Sequence, residues 1–127
     1  MKRQTESNCS DPITNSLKLV GGKWKISIIY NLRKSPLRFG QLKRTLSPIT
    51  QQMLTKQLRE MERDKLINRK VYEVVPPKVE YSLTKFGASL GPVLDSWCKW
   101  GEKNKKLIQA LFEAVSYTHL TLPTNGT

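Results

Sequence analysis

A chain of 127 residues and 14.6 kDa can bury one modest core and little more. Lys and Arg number 22 against 10 Asp and Glu, a net charge of +12 that exceeds what solubility needs and favours a polyanionic partner. No apolar run approaches the length of a bilayer span and MKRQTESNCS lacks the hydrophobic stretch of a secretion signal, so a cytoplasmic, nucleoid-associated protein with two thiols is expected.

Residues 1–10 read as a flexible arm, 11–112 as the folded domain, and 113–127 as a loose tail, disordered or foreign in origin, because SYTHLTLPTNGT breaks both the charge pattern and the helical period. In DPITNSLKLV, Asp11 is the expected N-cap and Pro12 the first helical residue, with Gly21 and Gly22 ending the helix. KWKISIIYNLR supplies a second helix whose Trp24, Ile28, Ile29 and Leu32 form a buried stripe closed by Ser35-Pro36. LRFGQLKRTL gives a brief helix with Leu42 and Leu46 inward, halted by Ser47-Pro48.

Thr50 then caps a helix that runs to about Asp64. Leu54, Leu58 and Met61 fall on its inner side with Met53 at the edge, whereas Gln51, Gln52, Thr55, Lys56 and Arg59 share the outer side. Amide, hydroxyl and guanidinium groups are the ones whose geometry suits base edges and phosphates, although a polar face also serves simply to meet water. Between Pro12 and Arg59 the basic residues are Lys18, Lys23, Lys25, Arg33, Lys34, Arg38, Lys43, Arg44, Lys56 and Arg59, with no acid among them; acids return at Glu60, Glu62 and Asp64. The charge is spread over several short elements, which disfavours a membrane-surface helix and leaves no membrane partner expected.

In NRKVYEVVPPKVEYSLT, Val79, Tyr81 and Leu83 alternate with polar residues, and Val75-Pro76-Pro77-Lys78 forms the tip of a hairpin. Lys78 at that tip, with Arg69 and Lys70 near its base, is offered to a nucleic-acid backbone or minor groove. A last long helix begins near Thr84 and carries Phe86, Leu90, Val93, Trp97, Trp100, Leu107 and Leu111 at three-and-four spacing, with Asn104 in register. That seam is too long for one small core, and a symmetric homodimer is the expected way to bury it.

Helix, helix, short helix, helix, hairpin, long helix is the order of a winged helix-turn-helix, a mainly α fold with a small β-hairpin wing. LVGGKW (19–24), LRFGQLKRTL (37–46), ITQQMLTKQLREME (49–62) and VPPKVEYSLTKFGASLGPVLDSWCKWG (75–101) together resemble the HxlR family of bacterial regulators, relatives of the MarR group. The resemblance implies a homodimeric, sequence-specific transcription factor on double-stranded DNA, often a repressor answering reactive electrophiles or oxidants, dimerising through its first and last helices.

Residues 50–64 would then be the recognition helix, with Gln51, Gln52, Thr55 and Arg59 reading bases and Lys56 on a phosphate. Lys23, Lys25, Arg38, Lys43 and Arg44 are expected on the DNA backbone. The alternative is a winged-helix module that binds protein or RNA without reading sequence.

The resemblance also points to Cys9 as a redox sensor, but the family's Cys-Pro pair is here Asp11-Pro12, with the cysteine two residues earlier. Cys9 therefore stands between a sensing thiolate and an ordinary surface thiol, and Cys98 is expected as partly buried packing. The only histidine, His119, lies in the tail, and there is no Cys and His metal spacing, GxxxxGK[ST] or strand-borne GxGxxG. No enzyme activity, metal or cofactor is expected.

Overall fold

A computed structural model describes the backbone of residues 10–121 and side chains through residue 114. Among the described residues, seven helices and three strands follow the order α1 (Ser10–Val20), α2 (Lys23–Leu32), β1 (Leu37–Arg38), α3 (Phe39–Thr45), α4 (Gln51–Arg63), β2 (Ile67–Tyr72), β3 (Lys78–Leu83), α5 (Lys85–Ala88), α6 (Gly91–Lys103) and α7 (Lys105–Thr121). The chain divides into two compact units, one ending at Gly91 and the other beginning at Pro92.

The first unit is built around α2, α3 and α4. Ile28, Ile29 and Leu32 of α2, Leu42 of α3, and Leu54, Leu58 and Met61 of α4 are buried, as their helical spacing predicts. Trp24, expected in the same stripe, is only half-buried, and the ammonium of Lys23 lies 4.6 Å from its ring centroid. α1 begins at Ser10, so Asp11 belongs to its first turn instead of capping it. Gly22 follows with φ 85°, a backbone conformation that a side chain would resist, and α2 starts directly after it.

The three strands form an antiparallel sheet in the order β1-β3-β2. Leu37 and Arg38 were expected to open a helix; they pair instead with Tyr81 and Glu80 as a two-residue strand. So short a strand has no alternation to betray it. In the hairpin Lys78 pairs with Tyr72 as the first residue of β3, so the tip is residues 73–77 and Lys78 stands at its root. Arg69 and Lys70 sit in mid-strand, opposite Tyr81 and Glu80.

α4 passes into β2 through a tight turn. Lys65 adopts φ 66°, Leu66 N–H donates to Met61 O at 2.9 Å, and Lys65 N–H donates to Glu62 O at 3.1 Å. This is a Schellman closure, with buried Met61 and Leu66 as its apolar pair. Thr84 closes the hairpin from the other end: its hydroxyl lies 2.7 Å from Lys65 O and accepts from Gly87 N–H at 2.9 Å, while its own N–H donates to Leu66 O at 3.1 Å.

The single long helix expected from Thr84 onward is three helices. Thr84 caps the four-residue α5, and Gly91-Pro92 opens α6, where proline suits a first turn. In the second unit, Asn104 separates α6 from α7, and its side-chain amide turns back to Trp100 O at 2.9 Å. Backbone bonds Asn104 N to Trp100 O and Ile108 N to Asn104 O carry the helical path across that step. α7 continues beyond residue 112 to Thr121.

Candidate nucleic-acid interface

The recognition-helix candidate is held firmly from its inner side. Thr50 Oγ1 accepts from Met53 N–H at 3.1 Å and caps the first turn, and Leu54 and Leu58 fix the helix by burial. The sequence thereby leaves Gln51, Gln52, Lys56 and Arg59 exposed and Thr55 half-buried on one continuous outer face. A shallow hollow of about 560 Å³ runs over that face, lined by Gln51, Gln52, Thr55, Lys56, Arg59 and Glu60.

The acid in this hollow is already answered. Glu60 Oε1 lies 2.7 Å from Lys25 Nζ, and this hydrogen bond, ahead of the coulombic pull of Lys25, Lys56 and Arg63, holds the Glu60 carboxyl below its ordinary range. Lys25 is thus committed within the fold, with its side chain 11% exposed, and is not presented to a phosphate as its position in the sequence suggests. Arg63 and Asp64 form a second pair at 3.0 Å, which lowers the Asp64 carboxyl and raises the Arg63 guanidinium. Arg38, Lys43 and Arg44 remain exposed on β1 and α3; Lys23, also exposed, lies over Trp24.

The hairpin has two chemically distinct faces. Strand register puts Arg69 beside Tyr81, which is buried, so Arg69 shares the inner face. There, a cleft of about 420 Å³ is lined by Phe39, Gln51, Thr55, Leu58, Arg59, Glu62, Arg69 and Tyr81. Lys70, Tyr72, Lys78 and Glu80 share the outer face: both ammoniums stand over the Tyr72 ring, at 4.8 and 4.6 Å, and Tyr72 O–H donates to Glu80 Oε1 at 2.9 Å. The grouping of Arg69 with Lys70 and Lys78 is therefore a grouping in sequence only. Glu62, Phe39 and Tyr81 are cleft residues that sequence reasoning missed, since only the α4 to β2 turn brings the strand beside the helix.

The apolar seam is present but divided. Val93, Trp97 and Trp100 on α6 and Leu107 and Leu111 on α7 are exposed, joined by Phe112, which the spacing did not single out. Phe86 is exposed on α5 in the first unit, and Leu90 is half-buried between α5 and α6. α1 exposes Ile13 and Leu17 as well. Cys98 is exposed and not packed. Cys9 lies outside the described residues. No helix among the described residues is long and apolar enough to cross a membrane.

The family model for HxlR-like helix-turn-helix proteins matches residues 19–109, which takes in the capped helix, the hairpin and α6. The chain belongs to that family. It is 50% identical over 100 residues to the HTH-type transcriptional regulator YdeP of Bacillus subtilis (strain 168), covering 79% of this chain and 78% of YdeP. Among solved structures it is similar to the redox regulator HypR in its reduced form, with 44% identity, TM-score 0.75, and coverage of 78% of this chain and 98% of that one. A MarR-family transcriptional regulator from Enterococcus faecalis V583 shares 38% identity with a TM-score of 0.72, over 86% of this chain and 99% of that one. The chain is accordingly a winged helix-turn-helix transcriptional regulator of a DNA-binding family, not an enzyme.

Proposed function

We propose that this regulator acts as a homodimeric repressor whose two copies of α4 enter successive major grooves of an inverted-repeat operator. The observation that carries this reading is the outer face of α4: capped by Thr50, fixed by buried Leu54 and Leu58, and offering Gln51, Gln52, Thr55 and Arg59 together to solvent beside a basic hairpin. A glutamine bonds adenine in two places and a threonine methyl meets the thymine methyl. Lys56, Arg38, Lys43 and Arg44 neutralise phosphates around that contact, and Lys70 and Lys78 do so from the outer face of the wing. Exposed Ile13 and Leu17 on α1 and the apolar line of α6 and α7 supply the dimer contact.

Oxidants or electrophiles are the proposed inducers. HypR is described as a redox regulator with reduced and oxidised forms, and this chain carries Cys9 just before α1 and an exposed Cys98. Operator release by diamide that survives Cys9→Ser unchanged removes Cys9 from that role.

Selection of bound fragments from random duplex tests the whole reading. It is expected to return an inverted repeat with half-site centres about 34–36 Å apart. Gln52→Ala is expected to cost about 1–3 kcal/mol at particular bases, whereas Lys78→Ala weakens all sequences alike and lowers the salt slope by about one. Fragments without symmetry, or equal losses for Gln52→Ala on operator and random duplex, contradict it.

A further inference from the structure

The cleft between α4 and the inner face of the hairpin holds two guanidiniums, Arg59 on α4 and Arg69 on β2, and one carboxylate, Glu62, above a floor of Leu58 and Tyr81. Among the described residues none of these three charged side chains has an ion pair or hydrogen bond, in contrast to Lys25, Glu60, Arg63 and Asp64 close by. Guanidinium forks match phosphate oxygens two at a time, and an unpaired pair of them across one cleft is a seat for an oxyanion.

In B-form duplex a single sugar-phosphate strand separates a major groove from the neighbouring minor groove. An α4 that enters the first, with a wing that reaches the second, leaves that strand only the space between them. Arg59 lies eight residues beyond Gln51, about 12 Å along the helix axis. That is roughly the width of the major groove, so a first turn reading base edges leaves Arg59 at the rim, where the phosphates are.

We infer that Arg59 and Arg69 grip one backbone phosphate from its two sides, and that Glu62 is a brake, a fixed negative charge beside that phosphate which weakens the hold on every duplex. The inference rests on the reading of α4 as the element in the groove and moves Arg59 from base reading to the backbone. Lys78 and Lys70, on the opposite face of the same hairpin, engage other phosphates and stand outside the clamp.

The test uses the full chain and its variants R59A, R69A, R59A/R69A, R69A/K78A and E62Q, each checked for folding by far-UV circular dichroism and titrated over a salt series on the selected operator and on random duplex. R59A and R69A are each expected to lose about tenfold on both duplexes and about one unit of salt slope. The R59A/R69A double variant is expected to lose well under the product of the single losses, because both arginines hold one group, whereas R69A/K78A multiplies. E62Q is expected to tighten both duplexes about threefold at low salt. Losses by R59A on the operator alone, multiplicative behaviour of R59A/R69A, or unchanged affinity in E62Q each overturn the clamp while leaving the groove reading intact. Wild-type protein that ignores every duplex overturns both.

Discussion

Lys25 Nζ stands 2.7 Å from Glu60 Oε1 and thereby fastens α2 to the helix that presents the polar face. The pair also neutralises an acid that would otherwise confront phosphate. Because the Glu60 carboxyl is held below its ordinary range, chiefly by the hydrogen bond from Lys25, its stabilising effect is present above the pH where a free glutamate titrates and is lost as pH falls through the lowered value. Lys25→Met is therefore expected to melt lower than the parent at neutral pH and to converge with it in acid. It should also bind duplex more weakly, with Lys25→Met/Glu60→Gln recovering that loss. Melting temperatures that coincide at every pH would show that the contact contributes nothing.

The turn at Lys65 makes a second prediction. A residue with a Cβ costs something at φ 66°, and glycine is the usual occupant of this position in a Schellman closure. Lys65→Gly is expected to raise stability by about 0.5–1 kcal/mol, read as a shift in the urea midpoint at constant slope. A drop in the midpoint would mean that the lysine side chain contributes more than its backbone strain costs.

Gly87 has the opposite requirement. A Cβ there would run into the Leu66 carbonyl oxygen, the same oxygen that receives Thr84 N–H. Gly87→Ala is expected to destabilise by about 1–3 kcal/mol, since backbone on one side and Leu83 on the other leave no room to yield. Thermal melts that match wild type would refute this close approach.

Trp97 and Trp100 are large aromatics left exposed on α6. If they anchor the proposed dimer, the Trp97→Ala and Trp100→Ala variants should each weaken self-association by about 2 kcal/mol or more. Sedimentation velocity across a concentration series reads this directly. Undiminished association in both variants would move the interface elsewhere.

Much of this arrangement was legible in the sequence because it rests on local rules. Thr50 as cap, Leu54, Leu58 and Met61 as the inner stripe, and the outward Gln51 and Gln52 follow from helical geometry alone. The pairing of Lys25 with Glu60 was not legible, because 35 positions separate them and many acids could have answered that lysine. Nor was the split of the last helix. Its three-and-four apolar spacing continues through Gly91-Pro92, and although that pair marks a weak point in the pattern, only the structure shows the helix ending at Ala88 and restarting at Gly91. The two residues of β1 carry too little pattern to be seen without their partners on β3.

The register of β2 against β3 sets a parity for the hairpin. Arg69 and Lys70 are neighbours in sequence but occupy opposite sides of the ribbon. Inserting one residue just before Arg69 would exchange their roles and expel an apolar neighbour from the core side, whereas lengthening the loop at 73–77 would disturb neither. Changes of length in relatives of this protein should therefore accumulate at the Val74 to Pro77 bend and spare the ladder between Ile67 and Tyr72.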